Sequence, residues 1–227
     1  MSAPTAHQAA GAVECPLCRG TFEAFAPTAR REEAVCPGCQ SRERHRALWL
    51  MLEERLDLLE NADSLLHFAP EECLADRLAA VARLRYITAD LDAWRADLPL
   101  DLMDLKLPDE AFGAILCSHV LEHVPDDRRA MAELHRILKP GGWLVVMVPL
   151  DVSRAETYED ASITDPQERL AAFRQEDHVR LYAPDIADRL SAAGFEVEEI
   201  PVAEQVGPDG ARRYGLLPSD HVFLCHR

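Results

Sequence analysis

Four cysteines in two C-x-x-C pairs, Cys15/Cys18 and Cys36/Cys39, are the sharpest chemical signal in the chain. Each pair is a knuckle that can aim two thiolates at one point. The 17 residues between the pairs suffice for a short hairpin that brings the knuckles together. This spacing fits a four-thiolate zinc ribbon; two disulfides or four unrelated thiols are the competing readings. Four thiolates close the coordination sphere and leave no position for water or substrate, so a metal held there is structural. Any reaction must be sought further along. Cys73, Cys117 and Cys225 remain, and each is expected to be a small buried apolar residue.

A chain of 227 residues accommodates one good-sized domain and a small appendage. Residues 1–14 lack the basic-then-apolar layout of a signal peptide and read as a loose leader. No apolar run approaches the length of a membrane span. Seven cysteines without a secretion signal point to a reducing, cytoplasmic setting. The formal charge of −16 would repel a duplex or a long RNA unless one patch reversed the sign. Only Arg42, Arg44, His45 and Arg46, directly after Cys39, lean basic. They read as solvated arginines at a helix start, with an anion-binding edge as the sharper alternative.

The surrounding pattern supplies a scaffold. Residues 15–40 form the ribbon. Residues 41–60 read as one connecting helix, N-capped by Ser41, with Leu48, Leu52, Leu56 and Leu59 on one face. From residue 61 onward strands and helices alternate. Strands are expected at Ser64–Phe68, Leu84–Ala89, Ala111–Ser118, Trp143–Val148, Phe195–Ile200 and His221–Cys225. Helices are expected at Glu71–Ala82, through Leu138, and at Pro184–Ala193, stopped by Gly194. Lys139-Pro140-Gly141-Gly142 ends the middle helix. Residues 151–177 are polar and poorly periodic, as ligand-binding loops are. The pattern predicts an α/β fold: a doubly wound, Rossmann-like, mainly parallel sheet with a small N-terminal zinc ribbon.

Three segments then become specific. Asp101-Leu102-Met103-Asp104-Leu105-Lys106-Leu107-Pro108-Asp109-Glu110-Ala111-Phe112 precedes a strand. Leu121-Glu122-His123-Val124 follows it, and Arg136-Ile137-Leu138-Lys139-Pro140-Gly141-Gly142 comes next. In this order and spacing they resemble the class I S-adenosylmethionine-dependent methyltransferases, in the branch whose segments read D-x-x-D-L-P-F, L-E-H-V and R-V-L-K-P-G-G. The likeness is close over residues 64–148 and looser beyond. It departs where a glycine-rich loop is usual: His67-Phe68-Ala69-Pro70-Glu71 has no glycine, and it resembles a variant carrying L-H-F-A-P-E behind paired C-x-x-C segments. Gly113 replaces the usual aspartate after phenylalanine, which reads as a packing change.

The resemblance implies an S-adenosylmethionine site. Asp90 ends the second strand, where a carboxylate can accept both hydroxyls of a ribose; Asp92 is the fallback. Asp101 aligns with the aspartate that meets the adenine amine, and Leu102 would offer its backbone N–H to the ring. His67, Ala69 and the helix start at Glu71 are candidates for the methionyl end, and His119 for a further cofactor contact. Methyl transfer demands an acceptor held in line and, for some acceptors, a base. His178, supported by Asp177 and Arg180, is the leading candidate base, with His119 and His123 behind it. Arg180 and Tyr182 could hold the substrate or lie on the surface.

The reading is therefore a methyltransferase acting on oxygen or nitrogen of a small molecule or modified peptide. An RNA-modifying enzyme using the ribbon and the Arg42–Arg46 segment is one alternative; acidity and the lack of aromatics there speak against nucleic acid. A cofactor-binding module without catalysis is the other, motivated by the glycine-free loop.

Overall fold

The computed structural model describes residues 12–29 and 31–227. The expected leader lies outside the described residues as far as residue 11. Val13–Glu14, counted with that leader, instead pairs antiparallel with Thr21–Phe22 and belongs to the ribbon.

Seven strands form the central sheet: β1 Ser64–Phe68, β2 Arg85–Asp90, β3 Leu98–Pro99, β4 Phe112–Ser118, β5 Leu138–Met147, β6 Glu196–Pro201 and β7 His221–His226. Their spatial order is β6-β7-β5-β4-β1-β2-β3. Strands β1 to β5 run parallel; β7 is antiparallel to β5, and β6 to β7. The chain leaves β1 toward β2 but later returns to β1's other side with β4. That reversal opens a crevice at the strands' carboxyl ends. The doubly wound, mainly parallel expectation is met.

The strands alternate between two cores, as a pleat of period two requires. Ile115 and Cys117 of β4, Leu144 and Val146 of β5, and Phe223 and Cys225 of β7 face one. Ala114 and Leu116, Trp143 and Val145, and Val222 and Leu224 face the other. The first is covered by α4 (Asp127–Ile137) and α6 (Ile186–Ala192). Cys117 and Cys225 are fully buried in it, as expected. The second core is shared with Val13, Leu17 and Phe25 of the ribbon and Leu48 and Leu52 of α1 (Glu43–Glu54). Burying each such leucine stabilises the fold by about 1.5–3 kcal/mol, so the ribbon is fused to the sheet by packing.

Several expectations change. The connecting helix breaks at Arg55, whose φ of −128° and ψ of 49° leave α2 as Leu56–Asn61. Ser41 does not cap α1; its hydroxyl turns to the Cys15 and Cys39 sulfurs, at 3.2 and 3.3 Å. Arg42 is the N-cap, and its N–H donates to His45 Nδ1 at 3.1 Å. Arg46 is fully buried and not solvated. Its guanidinium donates to the carbonyls of Ala34, Ser41, Tyr214 and Gly215. The segment after Ser118 is a turn with a single 3₁₀ stretch, Leu121–His123, so His119 and His123 do not share a helix face. Lys139-Pro140-Gly141-Gly142 opens β5, and Lys139 pairs with Asp63. A β-carbon on Gly113 would lie 2.6 Å from Asp63 Oδ1, which is the packing reason for glycine there. The polar stretch 151–177 carries α5, Pro166–Phe173, capped by Asp165. Helix α3 spans Glu72–Ala79, while α7 (Val202–Gln205) and α8 (Gly207–Tyr214) lie between β6 and β7.

Candidate active site

At the carboxyl ends of β1 and β2 an apolar slot of about 160 Å³ opens. Phe68, Ala69, Leu102, Met103 and Val120 wall it, with Asp90 and Asp101 among its lining. His123, Val124 and Pro125 close the far side. Asp90 is held by the Asp92 N–H, which donates to Oδ1 at 3.0 Å. Asp101 Oδ1 accepts from Met103 N–H at 2.9 Å, fixing the turn that presents Leu102. That loop is pinned from α4. Leu105 N–H donates to Glu133 Oε2, and Arg136 donates to the carbonyls of Leu105 and Leu107. The three sequence motifs thus meet physically. A wider depression of about 390 Å³, beside Asp57, Lys139 and Trp143, lies at the opposite end of the strands.

The glycine-free loop turns in the left-handed region: Ala69 has φ +48°. Its N–H donates to Ala89 O at 2.8 Å, which holds the turn against β2. A non-glycine residue there is uncommon and carries strain. Beside it Glu71 forms a carboxylate hub. Oε2 lies 3.1 Å from His67 Nε2, and Oε1 lies 3.4 Å from His45 Nε2. His67 Nδ1 faces the Tyr86 hydroxyl at 2.9 Å. Burial raises the Glu71 carboxyl, but the two imidazoles outweigh it and hold the group well below the usual carboxylate range. Burial also lowers the His45 imidazole. His45 comes from the helix that follows the ribbon, so ribbon and loop meet at this hub.

The three candidate histidines converge beyond the slot. His119 follows β4 with φ +55°, its N–H donating to Met147 O at 2.8 Å. Its Nδ1 lies 3.3 Å from Glu122 Oε1. His123 and His178 meet edge to face, ring centroids 4.8 Å apart. His123 Nδ1 faces Asp177 Oδ2 at 3.3 Å. His178 is buried, which lowers its imidazole, and its Nδ1 contacts Phe173 O at 3.2 Å. Val179 N–H donates to Glu122 O, seating the late segment on the β4 turn.

Arg180 lines a depression of about 520 Å³ together with Asp126, Glu159 and Arg169, and Tyr182 is fully buried. Arg180 is buried and donates to the carbonyls of Leu121, Val124 and Pro125 and to Glu159. Tyr182 donates its hydroxyl to Asp127 at 2.8 Å in the core. The residue missed is Glu122, 1% exposed at the centre of the histidines. Its signal was a carboxylate between apolar neighbours in Leu121-Glu122-His123-Val124, a place where an acid must have a reason.

The cysteines form two matching knuckles. Arg19 N–H donates to Cys15 O at 2.8 Å, and Gln40 N–H to Cys36 O at 2.9 Å. Arg19 and Gln40 each take φ +60°. The four sulfurs lie within 4.8 Å of one another and form no disulfide. Cys15–Cys39 and Cys18–Cys36 are both separated by 3.6 Å. Tetrahedral zinc–sulfur bonds of about 2.3 Å put sulfurs roughly 3.8 Å apart, so the donor set fits the metal.

A family model for a methyltransferase domain matches residues 44–200. The chain belongs to that methyltransferase domain family. Demethylmenaquinone methyltransferase of Clavibacter sepedonicus is 37% identical over 133 residues, 59% of this chain and 44% of the relative. Methyltransferase GfsG of Streptomyces halstedii is 29% identical over 127 residues, 55% of this chain and 42% of the relative. The methyltransferase chain spans less than half the length of these curated relatives. An S-adenosylmethionine dependent methyltransferase from Mesorhizobium loti shares the fold, at a TM-score of 0.54 and 18% identity, over 79% of this chain and 96% of that one. S-adenosylmethionine is the cofactor that follows from family membership. The slot fits its adenosine: apolar walls suit a base, and the carboxylates of Asp90 and Asp101 suit hydroxyl and amine donors. No helix among the described residues is long and apolar enough to cross a membrane.

Proposed function

We propose that this chain transfers a methyl group from S-adenosylmethionine to oxygen or nitrogen of a small molecule or modified peptide. The observation that carries the reading is the gathering of Ala69, Asp90, Asp101 and Leu102 around one apolar slot at the carboxyl ends of the parallel strands. When bound, S-adenosylmethionine supplies an electrophilic methyl group on a sulfonium sulfur. Asp90 accepts the ribose hydroxyls, Asp101 the adenine amine, and Leu102 N–H contacts the ring. Glu71, oriented by His45 and His67, receives the cationic methionyl ammonium beside Ala69. The left-handed turn at Ala69 supports cofactor binding despite the missing glycines.

On the acceptor side, exposure favours His119 over His178 as the base. The His119 side chain is 24% exposed, whereas His178 is 4% exposed. Glu122 beside His119 Nδ1 favours the tautomer whose Nε2 carries the lone pair and can take an acceptor proton. The four cysteines hold structural zinc. Nucleic acid is disfavoured because Arg46, part of the supposed basic footprint, is consumed inside the protein.

His119→Ala separates these roles. It is expected to cut turnover by about 10²–10⁴ while cofactor affinity stays near wild type. Loss of cofactor affinity instead would place His119 in the cofactor site. A wild-type rate would remove it from catalysis.

A further inference from the structure

Besides the four cysteines, one other group among the described residues brings ligand-type atoms to metal-binding range. Glu122, His123 and His178 each offer one such atom, and these lie within 4.8 Å of one another. Two independent features point to a ligand. Glu122 is 1% exposed; Oε1 faces His119 Nδ1 at 3.3 Å, and Oε2 has no hydrogen-bond partner in the protein. A buried carboxylate with an oxygen left without a donor is costly, and a cation offsets that cost. The second feature is the setting of the two imidazoles. His178 Nδ1 faces the Phe173 carbonyl, and His123 Nδ1 faces the Asp177 carboxylate. Both partners only accept, so each ring keeps its proton on Nδ1 and its lone pair on Nε2. Histidines that bind metals are oriented this way by outer carbonyls and carboxylates.

We infer that Glu122, His123 and His178 bind a divalent cation of the Mn²⁺, Fe²⁺ or Zn²⁺ class. Two imidazoles and one carboxylate suit such metals and leave coordination positions open. His123 also lines the cofactor slot, so the cation stands beside the place where the cofactor would bind. The cation holds and acidifies the hydroxyl of an alcohol or phenol, whose proton passes to His119 Nε2. This role rests on the methyl-transfer reading; the cation site itself rests only on the three side chains.

The test is a titration of the zinc-loaded full chain with Mn²⁺, following loss of the free-ion electron paramagnetic signal. Thiolates prefer zinc to manganese, so the ribbon does not compete. One Mn²⁺ per chain is expected, with affinity reduced at least about tenfold by Glu122→Gln and by His178→Ala. Asp177 is exposed, so Asp177→Asn leaves folding intact and carries the test if a buried variant fails to fold. It is expected to weaken Mn²⁺ by about 10–100-fold. No uptake, or uptake that these variants leave unchanged, overturns the site. Calorimetry with S-adenosylmethionine separates the two ideas. Cofactor binding without Mn²⁺ binding sinks the cation site alone. Mn²⁺ binding without cofactor binding sinks the methyl-transfer reading and leaves the cation site standing.

Discussion

Arg46→Met keeps an apolar stem and removes the guanidinium that clamps the ribbon to the end of α8. In the wild type Nε donates to Tyr214 O at 2.6 Å, Nη1 to Ser41 O at 2.8 Å and Ala34 O at 3.2 Å, and Nη2 to Gly215 O at 3.1 Å. The group also stacks 3.8 Å over the Phe25 ring. Gly215 is required there: a β-carbon would lie 2.6 Å from that ring. Leaving four carbonyls without this donor costs about 1 kcal/mol each, and losing the stacked cation about 1 more. Relief from burying a charge offsets part of this. The net loss is about 2–4 kcal/mol, or roughly 5–15 °C in Tm for a chain of this size. Arg46→Lys should recover only part, since one ammonium cannot span four carbonyls. Thermal melts by circular dichroism measure it. A Met variant melting within about 2 °C of wild type would refute the reasoning and return Arg46 to the solvated face that the sequence suggested.

Three further outcomes follow from the same structure. Cys36→Ser should abolish stoichiometric zinc and lower the melting temperature; retention of one zinc per chain, measured by atomic emission, would contradict the four-thiolate assignment. Burial raises the Asp220 carboxyl from 3.8 to about 6. The folded state therefore binds this proton more tightly than the unfolded state, so Asp220 costs stability as pH rises from about 4 to above 6. Asp220→Asn keeps an acceptor for Leu217 N–H and should gain about 1–3 kcal/mol relative to wild type at pH 8 but little at pH 4; urea melts at both pH values that show equal differences would disprove the shift. Tyr182→Phe leaves Asp127 its contact with Arg189 and should cost about 0.5–1.5 kcal/mol, with unchanged affinity for any acceptor. A selective rise in KM for acceptor would show that Tyr182 reaches substrate after all.

Strands β1, β4 and β5 were legible because alternating or continuous apolar runs between turn residues leave few other folds. The two-residue β3 was not, since Leu98–Pro99 carries no period. Helix α5 announced itself only through Asp165-Pro166, an N-cap and first-turn signal inside a polar stretch. Asp90, Asp101 and Ala69 were legible because strand ends and motif order place them, and they do meet at one slot. The buried arginines were hidden for a different reason. Arg46 and Arg180 bind main-chain carbonyls as far as 169 and 59 residues away, and a carbonyl has no sequence signature. Glu122 was concealed by the same logic: its importance lies in which histidines a distant loop brings to it.

Isothermal calorimetry of S-adenosylmethionine with the wild-type chain and with Asp90→Ala tests the central claim most directly. One cofactor per chain is expected, weakened by about 1–3 kcal/mol in the variant through loss of charge-assisted hydrogen bonds. Absence of binding to the wild type, or equal affinity in the two proteins, would contradict the account.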